Sequence, residues 1–197
     1  MDTNEFQALV AAHEQFARAA GSGAKLVLAD VAVEGADVPG ARLAGAELAR
    51  VGLAGAVLRG ADLARSQVLL CDLSGALLDG ASLRKADLQR TKFAGASLRG
   101  VSGRGLDLSH CDLSGADLAG ARLGHGYLWH TDLRGACLRG TDFAGAGFEL
   151  VRLHGADLAG ARGFDQMSMP SIDVGPSGEP LVLTGAEAVA WLLAAAG

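Results

Sequence analysis

From Leu26 to Asp165 the chain repeats every five residues, and over 28 consecutive pentads it never loses register. The third place of the pentad is Leu in 20, Val in 3, Phe in 3 and Gly in 2. The first place is Ala in 15 and otherwise mostly Val, Cys, Thr or Ser. The second, fourth and fifth places carry nearly all the charge. A period of five fits neither the 3.6 of an α-helix nor the 2 of a flat strand. It fits a chain that turns a corner every five residues, and a fixed period this long outranks residue-by-residue propensity. The first and third places, alternate residues of a short extended segment, then point inward. Small and large side chains alternate along the wall and fill a narrow interior.

Four corners close one coil in 20 residues, and the glycines support that count. Every fourth pentad falls on the same wall. The first wall, starting at Leu26, has Asp30, Arg50, Leu70, Arg90, His110, His130 and Leu150 at its fifth place. The second wall, starting at Val31, and the third, starting at Ala36, have Gly at all 14 fifth places; the fourth, starting at Ala41, has three Gly in seven. This pattern predicts corners of differing geometry, some of which need glycine's permissive backbone.

The pentads ADLAR at Ala61, ADLQR at Ala86, and ADLAG at Ala116 and Ala156 follow the consensus A-(D/N)-L-x-x. On these residues the chain resembles the pentapeptide-repeat proteins, over about seven-tenths of its length. The resemblance implies an all-β solenoid, a right-handed quadrilateral β-helix. Here it would have about seven coils of four pentapeptides over residues 26–165, with a capping helix and turn at 1–25 and a connector and capping or dimerisation helix at 166–197.

The flanks are read from their own residues. Residues 3–20 carry Phe6, Leu9, Val10, His13, Phe16 and Ala17 at three- and four-residue steps, a helix with one apolar face. Asp2 with Glu5 forms a capping box, Gly21 fits the stop, and Gly21-Ser22-Gly23 turns into the first coil. The helix is expected across the open end, with Phe6, Leu9 and Phe16 on the first Leu/Val layer and His13 as a packed core histidine. Within the coils Gly103 and Gly163 stand where an inward Leu belongs. Gly103 predicts a kink, bulge or small void, and Phe164 is expected to turn inward and plug the last coil. Residues 166–180 read as a turn-rich connector and Pro180–Leu183 as a short extended piece. Thr184 with Glu187 forms a second capping box, opening a helix to about Ala196. That helix is apolar almost all round and wants burial on more than one side. One side covers the last coil. Val189, Trp191, Leu192 and Leu193 then either meet a second subunit in a homodimer or lie deep in the cap of a monomer.

Net charge is −5, but the coils hold 16 acidic and 15 basic residues and are nearly neutral. No apolar run is long enough to span a bilayer, and the N-terminus lacks the basic start and apolar core of a signal peptide. The three cysteines fit a reducing compartment, so a cytoplasmic location without membrane contact is expected. Cys71 and Cys111 stand inward, two coils apart, too far for a disulfide. No phosphate loop, zinc spacing or Ser–His–acid grouping is present, and the outward residues are expected on flat convex walls without a cleft. The reading is of a non-enzyme with no catalytic, cofactor or metal residues. His110 and His130 alone supply two ligands without a third.

Two surfaces stand out. The fourth wall carries Arg42, Arg65, Arg84, Lys85, Arg104, Arg122 and Arg162 against Asp62, Asp142 and Asp165, a basic ladder that either splays into solvent or meets an acidic partner. The first wall is mildly acidic. It carries an outward Tyr127 and Trp129 flanked by His110 and His130, with Leu69, Leu70 and Leu150 on the same wall. This strip is either a protein contact or lies under a terminal segment. The partner-binding candidates are therefore Tyr127, Trp129, His110, His130, Leu70, Arg84, Arg104 and Lys85. The family resemblance implies one function class, a DNA-mimicking dimer that binds DNA gyrase or topoisomerase IV and protects it from quinolones or topoisomerase poisons. Near-neutral coils and a basic ladder count against it, since a phosphate mimic is acidic along its length. The other class is a scaffold or adaptor that binds protein through its outer walls. In both the partner is a protein, and no direct nucleic-acid binding is expected.

Overall fold

The computed structural model describes residues 1–18, 23–33, 35–167 and 170–197. The chain opens with helix α1 (Thr3–Arg18) and then coils. Strands β1 (Val27–Ala29), β2 (Glu47–Ala49), β3 (Gln67–Leu69), β4 (Tyr127–Trp129) and β5 (Gly147–Glu149) all lie on the first wall. They pair in parallel one coil apart, Val27 with Glu47, Glu47 with Gln67 and Tyr127 with Gly147. Single bridges keep the same 20-residue step on the other walls, Ala32 to Gly52, Asp37 to Val57 and Arg42 to Asp62. The coil is therefore 20 residues long, and seven coils run from Leu26 to Asp165. First- and third-place side chains form one continuous core of Ala, Leu and Val with Phe93, Phe143 and Phe148.

The consensus Asp has a local cause. Nine second-place aspartates, Asp62, Asp72, Asp87, Asp107, Asp112, Asp117, Asp132, Asp142 and Asp157, each accept the backbone N–H two residues on, at 2.8–3.3 Å. The side chain fastens the corner that follows it. The Asp72 carboxyl is held below its ordinary value by hydrogen bonds from Ser74, and that of Asp142 by the Ala144 N–H, with Arg162 adding to the effect.

Corner geometry corrects the glycine reading. The fifth place is left-handed on all four walls, including all seven first-wall residues, Asp30 to Leu150, at φ 49–61° with no glycine among them. The corners differ in how they close. On the other walls, and at two first-wall corners (Thr91 to Leu88 at 3.2 Å and Cys111 to Leu108 at 3.1 Å), the next N–H bonds back to the third-place carbonyl, as Ala46 does to Leu43 and Ala56 to Leu53, both at 3.0 Å. At Val68–Cys71 on the first wall a hydroxyl from the next coil stands in: Thr91 Oγ1 accepts the Cys71 N–H at 3.2 Å and donates to Val68 O at 2.7 Å.

Gly103 makes neither kink nor void. A Cβ there would fall 2.0 Å from Leu106 Cδ2, so Leu106 already fills the place, and the bridge from Ser102 to Arg122 keeps its register. Phe164 turns inward as expected, fully buried and stacked on Phe143 at 5.5 Å. Gly163 permits this with φ 91° and a backbone so close to Ala144 that a Cβ would sit 2.3 Å from its nitrogen.

α1 closes the first coil with a mixed face. The Asp2–Glu5 capping box forms in both directions. Phe6, Val10 and His13 are buried, but Leu9 and Phe16 are exposed, contrary to expectation. Polar side chains do the rest by meeting the free edge of the coil. Thr3 Oγ1 donates to Gly35 O, Gln7 Nε2 to Asp37 O, and Glu14 accepts the Arg42 N–H. His13 Nδ1 accepts the Leu26 N–H at 3.0 Å, which leaves Nε2 to donate to Ala44 O at 3.2 Å. His13 is thus a buried core residue with both ring nitrogens satisfied. The stop expected at Gly21-Ser22 lies outside the described residues.

The C-terminal end is more structured than a connector. After β6 (Val151–Arg152) and a 3₁₀ turn (Phe164–Gln166), β7 (Ser171–Asp173) pairs in parallel with β6, Val151 to Ile172, one residue beyond the coil step. β8 (Val182–Thr184) returns antiparallel to β7, and α2 (Gly185–Ala196) follows. Thr184 occupies the N-cap position but makes no side-chain capping bond, so the second capping box does not form. Ala188 and Leu192 bury against the last coils, and the Gly160 N–H ends on Ala196 O.

Candidate docking surfaces

The first-wall strip is assembled as the sequence predicts. Tyr127 and Trp129, outward places of β4, are 48% and 45% exposed and meet edge to face with centroids 5.4 Å apart. Both lean over Gly147 on the next coil, where a Cβ would come 3.5 Å from Trp129 Nε1 and 3.9 Å from Tyr127 Cδ1. His110 and His130 stack in parallel on consecutive coils at 5.0 Å. Parallel imidazoles do not aim their in-plane lone pairs at one point, and no cluster of three metal-ligating side chains occurs among the described residues. Leu70 and Leu150 continue the strip at 49% and 39% exposure. No segment among the described residues lies over it.

The fourth wall departs from the flat surface expected. Arg65, Arg84, Lys85, Arg104 and His125 line a groove of about 520 Å³, floored by Ala64 and Gly105. It continues past Arg122 and Gly124 into a second hollow of about 260 Å³. Long cationic stems stand on either side of small residues, and that makes the concavity.

At the C-terminal end the dimer candidates separate. Leu192 is fully buried in the cap and drops out; Trp191 is half-buried against the core. Val189 and Leu193 face outward over a shallow apolar hollow of about 420 Å³ shared with Met167, Pro170, Ala186 and Ala190.

Repeats of the pentapeptide family match in eight copies over residues 27–65, 70–102, 111–149 and 127–162, more than half of the chain. The chain is a pentapeptide-repeat protein. Among solved structures, full-length QnrB1, a plasmid-mediated fluoroquinolone resistance protein, is 17% identical over 72% of this chain and 93% of its own, with a TM-score of 0.45. HetL from the cyanobacterium Nostoc sp. strain PCC 7120, involved in heterocyst differentiation regulation, is 23% identical over 80% and 90%, with a TM-score of 0.29. Rfr23 from the cyanobacterium Cyanothece 51142 is 23% identical over 66% and 89%, with a TM-score of 0.37. These likenesses speak to the shared repeat and to nothing finer. No curated protein sequence matches.

Two features of this pentapeptide-repeat protein lay outside sequence reasoning. The third wall is an acid–base ladder, with Arg59 on Asp79 at 3.4 Å, Arg99 on Asp117 at 2.6 Å and Arg139 on Asp157 at 2.9 Å. The sequence holds those charges at fixed places of the pentad but does not say which side chains reach one another. The cysteines also do more than fill space: Cys111 Sγ donates to Leu88 O at 3.0 Å and Cys71 Sγ to Leu48 O at 3.6 Å. Burial raises both thiols, Cys111 to about 12. Among the described residues no helix is long and apolar enough to cross a membrane.

Proposed function

We propose that the protein is a non-enzymatic binding rod, an adaptor that docks a protein partner on its first wall through the strip centred on Trp129. The Tyr127–Trp129 pair carries this reading. It presents two large aromatic faces in an edge-to-face arrangement, with the indole N–H and phenol O–H making no hydrogen bond among the described residues. Half-exposed aromatics with a polar handle are the side chains most enriched at the energetic centre of protein interfaces. The test is a partner retained by immobilised wild-type protein. Trp129→Ala should weaken its Kd by about tenfold or more. A partner held equally well by the variant puts the contact on another wall.

The other class, implied by the resemblance, is a DNA mimic that binds DNA gyrase or topoisomerase IV. The hydrogen-bond pattern weighs against it. A phosphate mimic needs carboxylates facing outward at regular spacing, whereas nine coil aspartates are turned into their own corners and several also hold arginines. Titrating the protein into gyrase supercoiling assays, with and without a fluoroquinolone, decides this reading. Neither inhibition nor protection at micromolar protein removes it and leaves the adaptor. The homodimer is kept as part of the proposal, a second copy seated on Val189 and Leu193.

A further inference from the structure

The rod's own rule is that arginines find carboxylates. Of 17 Lys and Arg residues, nine are ion-paired among the described residues. Of the other eight, Arg65, Arg84, Lys85, Arg104 and Arg122 gather along the fourth-wall groove. Arg84 and Arg104 occupy the same place on consecutive coils, as do Arg65 and Lys85. Like charges held in register repel, so this arrangement is unfavourable for the empty rod and favourable once an anion lies between them.

The backbone adds a second observation. At fifth places of this wall Gly45, Gly105 and Gly145 take the left-handed corner without penalty, whereas Arg65, Lys85 and His125 hold it at φ 56–57° with full side chains. The conformation is not peculiar to this wall, since all seven first-wall fifth places hold it too; what matters here is that these three side chains stand at the groove. The side chains also frame the hollow. His125 lies over the bare α-carbon of Gly145, where a Cβ would come 2.9 Å from Nδ1, and closes the lower end of the larger groove.

We propose that this groove binds a compact oligophosphate, a chain of two or three linked phosphates, free or as the tail of a larger molecule. Its size suits a small ligand: about 520 Å³ lies within the usual range for such sites. The cations span three coil steps, roughly 14 Å at the inter-strand spacing. A long polyanion would run past them onto Asp142 and out of the basic field, on a molecule whose net charge is −5. The lining contains no Phe, Tyr or Trp to stack a base and no apolar anchor to hold a peptide. What remains is charge-assisted hydrogen bonding from guanidinium forks, the recognition that suits phosphate.

The site is independent of the Trp129 strip, and its test is separate. Inorganic tripolyphosphate is titrated into the full chain by calorimetry at low salt. The wild type should bind with an affinity that falls steeply as salt rises. The double variant Arg84→Gln/Arg104→Gln should bind about tenfold more weakly or worse. Arg99→Gln/Arg139→Gln, two charges removed from the ion-paired third wall, should bind as wild type. Arg84 and Arg104 are exposed, and the melting temperature without ligand checks that the variant is folded. No heat with wild type at millimolar tripolyphosphate overturns the site. Equal weakening in both double variants overturns it too, because it reduces the effect to diffuse charge. ATP should bind about as well as tripolyphosphate; an affinity more than about tenfold higher overturns the phosphate-only recognition. A short DNA duplex that displaces tripolyphosphate at lower concentration than ATP overturns the compact ligand.

Discussion

Cys71 and Cys111 show how much one place in the pentad can hold. Each sits inside the wall with its thiol on a carbonyl of the coil before, and burial raises both thiols, Cys111 to about 12. Only the thiolate reacts, so both are protected by exclusion and by protonation. Cys137 is an outward second-place residue and half-exposed. A maleimide at neutral pH should therefore label one thiol in the native protein and three after unfolding, read by mass. Rapid labelling of all three in the native state contradicts the packing. The inward placement of these cysteines was legible from the period alone. That each thiol also reaches a carbonyl of the coil before was not, because that carbonyl lies 23 residues earlier, a distance with no local signature. Gly163 was legible in the same partial way: a missing Leu beside an available Phe announced a substitution, while the approach to Ala144 that requires glycine belongs to the coil before.

At the scale of elements, α1 explains why an apolar face was over-read. Phe6, Val10 and His13 bury, at steps of four and three, while Thr3, Gln7 and Glu14 meet the coil's free backbone. The helix lies on a sheet edge as much as on an apolar layer. Its docking face is therefore mixed, and Leu9 and Phe16, seven residues apart and so on one side of the helix, fall outside it on the flank away from Thr3, Gln7 and Glu14. His13→Leu keeps the volume but strands the Leu26 N–H and Ala44 carbonyl. It should cost about 1–3 kcal/mol in chemical denaturation; Leu9→Ala, on the exposed side, should stay within about 0.5 kcal/mol. The coils make a prediction of their own. The folded carboxyls of Asp72 and Asp142 lie below their ordinary value; that of Asp132 does too, because the hydrogen bonds and charges of Arg134 and Arg152 outweigh its burial. A depressed carboxyl stabilises the fold above its unfolded value, and that stability is lost as pH falls through the folded one. The melting temperature should hold from neutrality to about pH 5 and drop below about pH 4. A melting temperature that rises on acidification contradicts the corner role of these aspartates.

At the scale of the molecule, the two surfaces were unequally visible in the sequence. The first-wall strip needed only the period and the rarity of aromatics. The fourth-wall groove needed to be known as a groove, and concavity depends on which stems stand and which neighbours are glycine or alanine. Dimerisation is also a question at this scale. If a second copy covers α2, Leu193→Glu, exposed at 49%, should halve the mass measured by light scattering and leave the fold intact. A wild-type protein that is already monomeric at tens of micromolar leaves the α2 hollow open and removes the second copy from the proposal.

The unvarying 20-residue step makes the rod a ruler. Positions along its axis are quantised at about 4.8 Å, and a whole revolution inserted just after Leu150 would slide the α2 cap along the axis, away from the arginine groove and the tryptophan strip, without rotating it relative to either. The distance between two things the rod holds could then be reset in fixed increments by duplication of 20 residues, with every corner, aspartate latch and end plug unchanged.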